Sequence, residues 1–60
     1  MNIEYMKSEI DRYKPALIEK GLEKQVDISE KIKEGMIGEE IATTMQYVYL
    51  KNIYQREVKE

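Results

Sequence analysis

The sequence predicts a small all-α domain, and three observations predict it. Lys, Glu, Ile, Met, Leu and Gln dominate its 60 residues, and these are good helix formers. Its apolar residues recur at intervals of three and four, the spacing of one helix face. Its strongest breakers are four residues, Pro15, Gly21, Gly35 and Gly38, enough to separate three to five helices. A chain this short is expected to form one domain over residues 1–60.

The first element is expected from Ile3 to Tyr13. Ile3, Met6, Ile10 and Tyr13 form a single stripe, and Asn2 is a suitable N-cap. Leu17 would continue the stripe, but Pro15 intervenes. Proline lacks the N–H that a helix needs and disfavours the helical conformation at Lys14, so a break or kink is expected there. A second short helix then runs from Ala16 to about Lys24, weakened by Gly21. Residues 1–25 together form an N-terminal packing element. A 60-residue chain buries only about 60% of its unfolded surface, so the stripe Ile3, Met6, Ile10, Tyr13 and Leu17 is expected to serve a homodimer, the alternative being packing against the C-terminal unit of the same chain.

The next start signal is Asp27, followed three residues later by Glu30 in a capping-box pattern. Gly35 is expected to close that helix and let the chain reverse, with Lys31 and Lys33 near the negative end of its dipole. Glu39 and Glu40 open another helix, where their charge is favourable. From Thr43 to Tyr54 the threonines, tyrosines and Val48 raise β-propensity, yet helical flanks on both sides favour helix.

Several function classes are excluded by composition. The chain has no Cys and no His, so no disulfide, no Cys/His zinc site and no familiar nucleophile–base pair is available. Neither an enzyme, a cofactor, a metal nor a small-molecule substrate is expected. Asp27, Glu30, Glu39 and Glu40 read as helix-terminal charges, since adjacent helix positions diverge by about 100°. No apolar run approaches the roughly 18 residues of a membrane span, and Met1–Lys7 lacks the apolar region of a secretory signal. A cytoplasmic protein without a membrane partner is the expectation.

Residues 28–58 carry one arrangement with functional content: Ile32, Glu34-Gly35, Glu40-Ile41-Ala42, Met45, and Ile53-Tyr54 with Arg56. This segment resembles the helix-turn-helix of serine recombinases and response-regulator output domains. The resemblance implies a helix-turn-helix unit over 27–58, degenerate at its turn. In it Gly35 reverses the chain, Ala42 allows close helix crossing, and Ile32, Ile41, Met45 and Ile53 fill the core. The turn falls at Gln46, where the family has glycine. Either it is enlarged there, leaving a recognition helix from about Tyr49 to Val58, or residues 39–58 form one long helix and the unit is a helical hairpin.

With a turn, Lys51, Asn52, Gln55 and Arg56 face outward, and Lys59 reaches phosphate. These residue types suit the major groove, and residues 41–56 carry Lys51 and Arg56 with no acid. The chain as a whole carries −2, against the basic surplus usual in DNA binders. The resemblance implies a dimeric transcription regulator on DNA, of the compact kind found on phages, plasmids and other mobile elements. The alternative is a protein-binding adaptor (a co-repressor, antirepressor or inhibitor) that grips a larger regulatory protein without touching bases. The acidic balance and the five tyrosines favour that alternative.

Overall fold

The computed structural model describes residues 2–58, and within them the chain forms three helices: α1 Ile3–Glu19, α2 Glu23–Glu34 and α3 Glu39–Glu57. Among the described residues there is no strand. Lys7 reaches Glu39 at the start of α3, and Arg12 reaches Tyr54 near its end, so α1 and α3 run in the same direction. Lys14 pairs with Glu30 of α2, which runs against both.

Helix α1 begins where its sequence marks a cap. The Asn2 side chain accepts from the backbone N–H groups of Glu4 (2.7 Å) and Tyr5 (3.4 Å), satisfying two of the four donors a helix start leaves free. The expected break at Pro15 does not occur, and α1 is a single helix of 17 residues. Pro15 and Asp11 are both exposed. The carbonyl that loses its partner is therefore that of a residue in contact with water, while Leu17 stays on the buried stripe. Gly21 ends α1 instead of weakening a separate helix. It has φ +81, its N–H donates to Ile18 O (2.9 Å), and the N–H of Leu22 donates to Leu17 O (2.9 Å). These two bonds form a Schellman cap, completed by half-buried Leu22.

That cap explains why α2 starts four residues before Asp27. The carbonyl of Leu22 already accepts from Gln25 and Val26, so Asp27 sits exposed inside the helix and the expected capping box does not form. Glu30 turns to Lys14. At the other end, Lys31 and Lys33 occupy the last turn. Gly35 is the C-cap, but with φ −84 it adopts an ordinary right-handed conformation. The reversal belongs to Gly38, at φ +95, which also takes the N-cap position of α3. Gly35→Ala is accordingly expected to be neutral or slightly stabilising, because an added Cβ would meet only carbonyl oxygens at 3.5 and 3.8 Å. Gly38→Ala should cost about 1–2 kcal/mol, the price of a left-handed backbone with a side chain. Urea denaturation of the two variants side by side checks the contrast.

The core joins Met6, Ile10, Tyr13 and Leu17 of α1 to Val26 of α2 and to Tyr47, Leu50 and Ile53 of α3. The α1 stripe is thus packed inside one chain, with Ile3 half-buried at its end, which is the second of the two uses expected of it. Tyrosines line the α1–α3 seam: Tyr13 lies 4.6 Å from Tyr54 and 6.2 Å from Tyr47 between ring centroids. Burial, and then Glu9 beside it, pushes the Tyr13 phenol up to about 12.

Between α2 and α3 the contact is polar. Ser29 donates to Val26 O (2.7 Å), and buried Gln46 donates to Ser29 Oγ and Glu30 Oε2, both at 3.3 Å. Three ion pairs hold the α1 face: Lys7–Glu39 at 2.6 Å, Arg12–Glu9 at 2.6 Å, and Lys14–Glu30. Hydrogen bonds from these cations hold all three carboxyls below the ordinary value of 4.5. A depressed folded value means that the unfolded chain binds more protons, so the contribution is complete above about 4.5 and is lost as pH falls below it. Thermal melts taken from pH 6 down to pH 3 should show a decline confined to the acid end. A flat profile there would remove any stabilising role for these pairs.

Candidate functional site

Helix α3 is continuous through Gln46, which is buried. The separate recognition helix expected over Tyr49 to Val58 is therefore the C-terminal half of one 19-residue helix. The reason is the inward face: Thr43, Gln46, Tyr47, Leu50 and Ile53 are all buried, at spacings that only an unbroken helix brings to one side. A turn at Gln46 would pull this face apart.

The motif residues divide. Ala42 and Ile53 are buried and Ile32 is half-buried. Ile41 and Met45, expected in the core, point away from it with exposures of 58% and 43%. Val48 (42%) extends their line along α3, and Ile37, which at 92% is almost wholly in solvent, stands in the turn before the helix. Helix α3 is therefore apolar on two faces, and the inner one is marked by Tyr47, Leu50 and Ile53. Met36 and Ile28 add exposed apolar surface near its start and on α2. A groove of about 390 Å³ opens on the outer face, lined by Glu40, Ile41, Thr44 and Met45. The sequence signal for this second stripe is the four–three spacing of Ile41, Met45 and Val48. Assigning Ile41 and Met45 to a core hid it.

The charges around this face are segregated. From Ile41 to Leu50, ten successive residues carry no charge, in a chain that is 37% charged. Glu39 and Glu40 precede the run, and Lys51 and Arg56 follow it. The polar residues expected to contact a partner stand at the far end. Asn52, Gln55 and Arg56 are exposed, and Lys51 is half-buried. The Lys51 amine lies 5.6 Å from the Tyr47 ring centroid, and Arg56 Nε is 3.2 Å from Glu57 Oε2. Lys59 lies outside the described residues.

Two further clefts are more polar in character. One, of about 290 Å³, gathers Lys7, Lys14 and Lys33 with Thr43 and Gln46, but Lys7 and Lys14 are already paired with Glu39 and Glu30. The other, of about 470 Å³, is lined by Arg12, Tyr13, Tyr54 and Gln55. There the Arg12 guanidinium lies 5.1 and 5.3 Å from the two tyrosine rings and donates to Tyr54 Oη at 3.1 Å, which ties α1 to α3. Among the described residues no group of three or more acids is placed to hold a metal, and no helix is long and apolar enough to cross a membrane. No protein-family model matches the chain, and no curated protein or solved structure is detectably similar to it.

Proposed function

We propose that this chain is a protein-binding module that docks through the outer face of α3. The observation that supports the reading is the solvent-facing apolar line Ile41, Met45 and Val48 within the uncharged run of α3, with exposed Ile37 in the turn before it. An apolar patch in water favours a protein contact, and a charge-depleted centre with a polar rim is the usual anatomy of one. Phosphate, by contrast, is held by cations, and the only positive side chains between Ile41 and Arg56 are Lys51 and Arg56 themselves.

A capture experiment from the native host, treated with nuclease, tests the reading with wild type beside Ile41→Lys. Wild type should retain a protein partner after nuclease, and the variant should lose it. The alternative is the dimeric DNA-binding regulator, with Lys51, Asn52, Gln55 and Arg56 as its contacts. It requires retention of mixed-sequence DNA at low salt that falls steeply as salt rises. That result, together with no nuclease-resistant partner, would replace docking by DNA binding.

A further inference from the structure

We propose that the outer face of α3 takes a second copy of this chain, with the two α3 helices antiparallel across a two-fold axis between Met45 and Val48. The inference rests on reading this face as a protein-docking surface and names its occupant. With the α1 stripe buried inside the chain, Ile41, Met45 and Val48 are, among the described residues, the remaining run of exposed apolar residues at helical spacing.

Charge complementarity selects the occupant and its direction. Glu40 and Lys51 bracket the uncharged run. They are eleven residues apart, which is about three turns, so they lie within about 20° of one helix edge and about 16 Å apart along the axis. In an antiparallel two-fold pair each edge meets its own copy reversed. Glu40 then faces Lys51 of the second copy, and the contact occurs twice. The apolar residues mesh in the same register to within about half a turn. Met45 meets Val48 of the second copy, and Ile41 meets Asn52. Ile41, Thr44, Met45 and Val48 are spaced three, one and three apart, the four-residue hole that receives one knob from a facing helix. Three of them line the groove on this face. A parallel two-fold pair would instead place the Glu40–Lys51 edges of the two copies on opposite sides of the seam, where neither charge meets the other, and would align the helix dipoles.

Sedimentation equilibrium across the micromolar to millimolar range tests this, with far-UV circular dichroism to show that each variant keeps its helices. Wild type should dimerise and Ile41→Lys should stay monomeric. Glu40→Lys and Lys51→Glu should each weaken the dimer roughly fivefold, from two surface ion pairs turned repulsive, and the double variant should recover it. The absence of native cysteine permits a test of direction. Ile41→Cys and Asn52→Cys should form a disulfide when mixed and not when each is oxidised alone. Cross-linking of Ile41→Cys with itself would overturn the antiparallel arrangement. A wild type that stays monomeric at millimolar concentration overturns self-association. If its nuclease-resistant capture of another protein is nevertheless abolished by Ile41→Lys, the docking reading survives without this occupant. A dimer indifferent to Ile41→Lys overturns the proposed interface.

Discussion

Leu50→Ala is expected to destabilise the fold by about 2–5 kcal/mol, the range for truncating a buried leucine. Leu50 is wholly buried near the middle of α3, within the cluster that joins all three helices. Domains of this size are held by only about 3–9 kcal/mol, so the variant should lose about a fifth of its stability or more. The cause is the missing volume: α2 contributes Val26 alone to the buried apolar cluster, so little apolar side chain on that helix is available to fill the gap. Leu50→Met, which nearly conserves volume, should cost under about 1.5 kcal/mol. Urea unfolding followed by circular dichroism measures both, and a loss below about 1 kcal/mol for Leu50→Ala would remove Leu50 from the centre of the core.

Pro15→Ala should act in the opposite direction, stabilising the protein by about 2–2.6 kcal/mol. Proline inside a helix costs about 3 kcal/mol relative to alanine. The substitution gives an N–H back to position 15, within reach of the Asp11 carbonyl. Part of the gain is offset, because proline also restricts the unfolded chain, by about 0.4–1 kcal/mol. Pro15 is exposed, so little packing is sacrificed. In a domain of this size each kcal/mol moves the melting temperature by about 4–8 °C. A lower melting temperature would show that Pro15 makes a contact the helix depends on.

Much of the fold is legible in the sequence where a local signal and the packing agree. Asn2 caps α1, the residues from Met6 to Leu17 share one face, and Lys31 and Lys33 stand in the last turn of α2. The rest is hidden where the two disagree. Pro15 signals a break, but a stop there would take the fully buried Leu17 off the stripe and remove the carbonyls that the cap at Gly21 uses. Asp27 signals a start, but the cap at Gly21 has already placed Leu22 to begin α2. The sequence assigns the reversal to Gly35, and only the backbone angles move it to Gly38. The docking face is the least legible. Periodicity finds two apolar lines on α3 but does not say which turns inward. The inner line also carries the polar Thr43 and Gln46, which makes it look like the outer one. Gln46 is acceptable inside because Ser29 and Glu30 receive its amide.

The uncharged stretch of α3 has one more consequence, and it concerns the unfolded chain. Thr43-Thr44-Met45-Gln46-Tyr47-Val48-Tyr49-Leu50 contains no charge, no proline and no glycine. It is rich in residues that favour extended structure, the composition of segments that stack into cross-β assemblies. In the native helix its backbone donors and acceptors are satisfied locally and half of its side chains are covered. Each unfolding event releases it as a strand-prone segment whose nearest gatekeepers are Glu40 and Lys51. Helix α3 is therefore a conformational cage as well as a scaffold, and aggregation of this protein should follow how often that helix opens.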